Sequence, residues 1–136
     1  MAKRSMPAAT EAELRVLAEL WERDEATIRD LRDLIYPEGG ESKFATVQKL
    51  LSRLVTKKLV RRRKDSATWT YRALVARDDV IGGELRRVAD RLGGNSMTPL
   101  LTYLVETGEL SAKERAHLRS LLDDTPGRDE SRKNKP

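Results

Sequence analysis

Between Ser42 and Arg72 the hydrophobic period changes from that of a helix to that of a strand with almost no linker between, and this limits the fold more than any other feature. At about 100° per residue, Phe44, Val47, Leu50, Leu51, Leu54 and Val55 fall on one arc of a helix expected from about Lys43 to Lys58, with Ser42 as its N-cap. Ala45, Thr46, Gln48, Lys49, Ser52, Arg53 and Thr56 fill the opposite arc. Leu59-Val60 then leads into Arg61-Arg62-Arg63-Lys64, a turn at Asp65-Ser66-Ala67, and Thr68-Trp69-Thr70-Tyr71-Arg72, where Trp69 and Tyr71 alternate with polar residues. That alternation predicts a β-hairpin with a basic first strand, its aromatics read as hairpin core rather than as stacking platforms.

Two shorter helices are expected upstream. Thr10-Glu11-Ala12-Glu13 has capping-box spacing and starts a helix with Leu14, Leu17, Ala18 and Trp21 as its buried stripe, ending near Asp24. Thr27 with Asp30 opens the second, which carries Ile28, Leu31, Leu34 and Ile35 and stops at Pro37 and Gly39-Gly40. Three helices followed by a two-stranded hairpin is the order of a winged helix-turn-helix, in which the third helix enters the major groove of DNA. The fold class is therefore mainly α with a small β-hairpin: an arm over 1–9, a winged helix over 10–75, and a helical segment beyond.

The charge distribution agrees with that order. Up to Val75 there are 16 Lys and Arg against 11 Asp and Glu, and from Ala76 onward 11 against 11, so the whole net charge of +5 lies in the first part. Residues 43–64 contain nine of these cations and no acid, whereas a merely solvated helix face usually mixes both signs. Such a block attracts a polyanion. The residues expected to meet DNA are Lys43, Ala45, Thr46, Gln48, Lys49, Ser52 and Arg53 on the helix and Arg61, Arg63 and Lys64 on the strand. Gln48 suits an adenine edge, Lys49 a guanine or a phosphate, and Thr46 a hydrogen bond or a thymine methyl. Arg53 and the strand cations suit phosphates, although alternation lets only about half of Arg61–Lys64 face one side.

Beyond Val75 the pattern is helical only. Ile81, Leu85, Val88 and Leu92 form a stripe that runs through Gly82-Gly83 and ends at Gly93-Gly94. Ser96 is the expected cap of a helix with Leu100, Leu101, Leu104 and Val105, closed by Gly108. Ser111-Ala112-Lys113-Glu114 starts another with Leu118, Leu121 and Leu122. Three short helices cannot enclose a core alone, so residues 76–124 are expected to pair with a second copy through these apolar residues. Residues 125–136 hold nothing apolar and read as a disordered tail.

Other chemistries find no support. The chain has no cysteine, which removes disulfides, thiol catalysis and zinc-cysteine sites. His117, the one histidine, reads as a surface helix residue, and the Asp78-Asp79 and Asp123-Asp124 pairs as helix-end charges. No phosphate loop, metal-ligand spacing or catalytic constellation is present, so neither an enzyme nor a cofactor is expected. No apolar run nears the roughly 20 residues of a membrane span, which places the expected protein in the cytoplasm.

Thr10-Glu11-Ala12-Glu13 with Leu20-Trp21-Glu22, the run Thr46 to Lys58, and Trp69-Thr70-Tyr71-Arg72-Ala73-Leu74-Val75 together resemble the penicillinase repressor family over about Thr10 to Asp123. Ala73 replaces the usual wing proline, and the wing tip lacks the Gly-Arg often found there. The resemblance implies a homodimer on a dyad-symmetric operator that represses transcription. It also implies release when a membrane sensor metalloprotease leads to cleavage within the dimerising helices, at positions corresponding here to Tyr103 and Leu104. Copper sensing through C-terminal cysteines is excluded. The rival reading is a winged helix that docks an acidic protein or RNA inside a larger assembly; a dimerising segment is what a two-fold operator requires and a docking module does not.

Overall fold

The two expected capping boxes, at Thr10 and Ser111, and the expected cap at Thr27 all close in the computed structural model, which describes residues 6–127. Thr10 Oγ1 accepts from Glu13 N at 3.1 Å while Glu13 Oε1 accepts from Thr10 N at 2.9 Å. Thr27 with Asp30 and Ser111 with Glu114 make the same reciprocal pair. These boxes open α1 (Glu11–Glu22), α2 (Ile28–Ile35) and α6 (Ala112–Asp124). Between α2 and α6 lie α3 (Glu41–Thr56), β1 (Val60–Asp65), β2 (Thr68–Ala73), α4 (Arg77–Leu92) and α5 (Thr98–Glu106). The chain divides into two compact units, residues 1–88 and 89–136. The first exceeds the 10–75 span expected of the winged helix, because Met6 and the first turns of α4 join it. Residues 1–5 of the expected arm and 128–136 of the expected tail lie outside the described residues.

The core of the first unit is built from α1, α2, α3 and the base of the hairpin: Val16, Leu17, Leu20, Leu31, Val47, Leu51, Leu54, Leu59 and Val60 are almost fully buried. The buried stripe of α1 is rotated from the expected one. Glu13, Val16, Leu17 and Leu20 are buried, whereas Leu14, Ala18 and Trp21 are half-buried. Trp21 lies at the edge because its indole N–H donates to Val75 O at 2.8 Å, which places the polar edge of the ring against the chain leaving the hairpin.

Two caps differ from expectation. The third helix begins two residues before Lys43, with Gly40 at φ 82° as its N-cap, so Ser42 is inside the helix. A glycine adopts that backbone at little cost. At the start of α5 the N-cap is Met97, and the Ser96 hydroxyl instead accepts from Thr98 N at 3.1 Å. Pro99 fits the first turn of that helix, and Gly108, at φ 75°, follows it.

The end of α3 sets the position of the hairpin. Lys58 takes φ 65°, Lys58 N donates to Val55 O at 3.0 Å and Leu59 N to Leu54 O at 3.0 Å, the two bonds of a Schellman turn with Leu59 buried beside Leu54. The chain therefore reverses directly into β1. The strands pair antiparallel from Val60↔Ala73 to Asp65↔Thr68, joined by Ser66 at φ 59° and Ala67. Residue 26 adds a third, single-residue rung: Ala26 N donates to Tyr71 O at 3.0 Å and Tyr71 N to Ala26 O at 2.8 Å.

The second unit has little core of its own. Neither α5 nor α6 holds a buried residue. Of α4, Val80 in the first unit and Ala89 in the second are buried.

Candidate nucleic-acid interface

The polar arc of α3 is presented outward because the opposite arc is consumed by the core. Val47, Leu50, Leu51 and Leu54 are buried and Phe44 and Val55 half-buried, so Ala45, Gln48, Lys49, Ser52, Arg53 and Thr56 are exposed. Ala45, Thr46, Lys49, Leu50 and Arg53 line one shallow, open depression along this face. Thr46 is half-buried, and its hydroxyl donates to Ser42 O at 3.1 Å. Its proton is therefore used within the helix, leaving a methyl and an acceptor lone pair to the outside.

Starting α3 at Glu41 corrects one expectation about this arc. By the helical count of about 100° per residue, Glu41 lies on the same side as Ala45, Gln48 and Ser52. The face is thus free of carboxylates only beyond its first turn, where Glu41 sits beside the positive end of the helix dipole. A cap at Ser42 would have left Glu41 outside the helix.

The cations of 43–64 do not form one patch. Lys57 is turned inward: its Nζ lies 2.6 Å from Oε1 of Glu13, a buried carboxylate, and also donates to Ala8 O at 2.8 Å. Burial alone would raise the Glu13 carboxyl. The Lys57 ammonium, the Thr10 amide and the nearby charge of Arg53 outweigh it and hold the group below the ordinary glutamate value. Lys43, at the head of α3, has its ammonium 4.9 Å from the Tyr36 ring centre, and the Arg15 guanidinium lies 5.4 Å from the same centre.

On the hairpin, alternation divides the basic residues between two faces. Arg61 and Arg63 share a face with Thr70 and Arg72, and Arg63 is 3.7 Å from Glu25, which offsets part of that charge. Lys64 lies on the other face with Arg62, and both cations stand over Trp69, at 5.7 and 4.6 Å from its ring centre. Thus Arg61 and Arg63 are brought together and Lys64 is separated from them. Trp69 also departs from expectation: Tyr71 is core, at 6% exposure, but Trp69 is 40% exposed. Both rings project from one face. Tyr71 is near the base, where α1, α2 and the Ala26 rung cover it, while Trp69 is near the tip, past the edge of the core. Arg62, Arg72 and Trp69 are the site-bordering residues that sequence reasoning left out, although the period-two pattern already assigned each to a face.

The apolar residues expected to pair two copies are largely uncovered. Leu92 and Leu122 are 81% and 78% exposed, Ile81, Leu85, Leu101, Leu104, Leu118 and Leu121 are exposed to a lesser degree, and Val88 and Leu100 are half-buried. Tyr103 and Leu104 are both exposed on α5. Among the described residues no helix is long and apolar enough to cross a membrane, and no cluster of His, Cys, Asp and Glu is grouped to hold a metal.

The family model "Penicillinase repressor" matches residues 9–124. A penicillinase repressor of Staphylococcus aureus is 28% identical over 79 residues, which span 58% of this chain and 63% of that protein. Among solved structures, a cysteine-to-serine mutant of MarR from E. coli, complexed with operator DNA, is similar at a TM-score of 0.43 and 21% identity. That match covers 84% of this chain and 73% of the other.

Proposed function

This chain belongs to the penicillinase repressor family, whose members are DNA-binding regulators and not enzymes, and we propose that it represses transcription as a homodimer on a two-fold symmetric operator. The observation that carries the reading is the outward arc of α3, exposed from Ala45 to Thr56 with cations at Lys49 and Arg53 and no carboxylate past its first turn. In this reading Gln48, Lys49 and the Thr46 methyl meet base edges, Ala45 and Ser52 permit close approach, and Lys43 and Arg53 meet phosphates. Arg61 and Arg63, on one face of the wing, add phosphate contacts that raise affinity without selecting sequence, and Lys64, on the opposite face, does not join them.

Dimerisation is supported by the uncovered leucines. Among the described residues, ten of the thirteen exposed large hydrophobics lie in α4, α5 and α6. Exposed apolar area of that extent marks a surface that binds another. Release by a cut at Tyr103–Leu104, under the control of a membrane sensor metalloprotease, completes the reading. Such a cut would part Leu104, Leu118, Leu121 and Leu122 from the DNA-reading unit and leave the reading face intact, and a protease would reach it through local unfolding of α5.

The test is selection of bound duplexes from a random DNA pool, with sedimentation of the complex. The expected result is an inverted repeat bound by two copies. Recovery of no common sequence would overturn the reading in favour of a docking module for protein or RNA.

A further inference from the structure

Three consecutive carbonyls near the N-terminus are each held by a cation from another element. Arg87 of α4 donates from Nη1 to Met6 O at 2.6 Å and from Nη2 to Pro7 O at 3.4 Å, and Lys57 at the end of α3 donates to Ala8 O at 2.8 Å. Each cation is closed by a carboxylate, Glu84 at 2.6 Å from Arg87 and Glu13 at 2.6 Å from Lys57. The fit also depends on Gly83: a Cβ there would stand 2.7 Å from Met6 Cβ and 2.9 Å from its Cγ. Residues 6–8 thus form a strap from the C-terminal end of α3 to the third turn of α4, with Pro7 restricting its backbone.

Within the first unit, α4 is otherwise held at its start. Trp21 bonds Val75 O just ahead of the helix, the Arg77 guanidinium lies 5.3 Å from the Trp21 ring centre and 3.4 Å from Glu22, and Val80 is buried. Ten residues separate Arg77 from Arg87, about 15 Å along the axis. A helix anchored at one end can still pivot; a second anchor about 15 Å further on fixes its direction.

We propose that Arg87, with Gly83 leaving room for the strap, is a positioning residue that sets the direction in which α4 leaves the DNA-reading unit, and thereby the half-site spacing the repressor accepts. The proposal rests on the dimeric-operator reading above. Two recognition helices must enter major grooves about one turn of DNA apart, so a change in the angle of α4 changes which spacing lets both engage. Arg87 touches no DNA in this scheme; it acts through the helix that joins the reading unit to the dimer-forming segment.

The test uses the full chain and a duplex selected from the random pool, with copies that gain or lose one base pair between half-sites and a copy carrying one half-site. The wild type is expected to lose about tenfold in affinity when the spacing is altered, because one of two linked half-site engagements is forfeited. R87A and G83A are expected to bind all three spacings within about threefold of one another, with half-site affinity unchanged. G83A is informative because alanine favours the helix over glycine, so its effect cannot come from melting α4. Wild-type discrimination retained in both variants, or absent from the wild type, would overturn the proposal. Sedimentation separates the two readings: a wild-type monomer on the selected duplex overturns both, whereas a dimer with undiminished discrimination in the variants overturns the strap alone.

Discussion

Lys57 places its ammonium 2.6 Å from the buried Glu13 carboxylate, joining the C-cap of α3 to the first turn of α1 inside the unit that presents the candidate DNA-reading face. One of the nine cations in the basic block is therefore structural, and its loss is expected to show in stability before it shows in binding. Glu13→Ala leaves a partly buried ammonium unpaired and is expected to cost about 3 kcal/mol, at the low end for a broken buried pair because Lys57 keeps some exposure. Urea unfolding of the variant measures it, and a loss under about 1 kcal/mol would reduce the pair to a surface contact.

The same pair carries a pH dependence. The folded Glu13 carboxyl titrates below its ordinary value of 4.5, so the unfolded chain takes up the proton first. Its contribution is complete above about 4.5 and is lost as pH falls through the lowered folded value. Stability curves of wild type and Glu13→Gln are expected to converge below that range. Parallel curves down to the acid limit would remove Glu13 as the source.

Base-reading and phosphate-binding residues are expected to separate in solution. Gln48→Ala should relax preference at one position per half-site at a cost of about 1–3 kcal/mol on the selected duplex and little on random DNA. Arg53→Ala should weaken both and flatten the salt dependence by roughly one unit for each phosphate no longer neutralised. Binding isotherms at several salt concentrations decide, and an equal loss on both DNAs for Gln48→Ala would reassign it to the backbone.

Trp69 and Tyr71, alike in the sequence pattern, are expected to differ on substitution. Tyr71→Ala removes a buried ring from the junction of hairpin, α1 and α2 and should cost about 3–5 kcal/mol, as other large core truncations do. Trp69→Ala should cost under about 1 kcal/mol, with the exposed ring giving up mainly its cation–π interactions with Arg62 and Lys64. Thermal unfolding of the two variants compares them directly, and equal destabilisation would place Trp69 in the core after all.

Assembly and release have their own readouts. Leu104→Asp puts a carboxylate into the proposed dimer surface and is expected to yield a folded monomer by sedimentation, since an unpaired buried charge costs several kcal/mol. An unaltered dimer would move the interface elsewhere. Mass spectrometry of repressor fragments from induced source cells tests the cut at Tyr103–Leu104; intact protein leaving its operator would point to a ligand.

What the sequence alone determined is what short-range physics controls. The capping boxes at Thr10, Thr27 and Ser111 close through partners three residues away, and the turn at Ser66-Ala67 joins strands whose alternation is local, so their spacing suffices to read them. The apolar arc of α3 follows from helical periodicity in the same way. Tertiary structure decided the rest, because those outcomes depend on which distant group arrives. Gly40, at a positive φ, took the place of Ser42 as the cap, and this brought Glu41 onto the reading arc. Trp69 stayed exposed and Tyr71 did not because the core ends between them, beside a rung supplied by Ala26 from 45 residues earlier in the chain. Lys57 faces inward because Glu13 and Ala8 converge on it across more than forty residues, and Arg87 meets Met6 across 81. No pattern with a period of two or four residues encodes such meetings; they exist only once burial has brought the helices together.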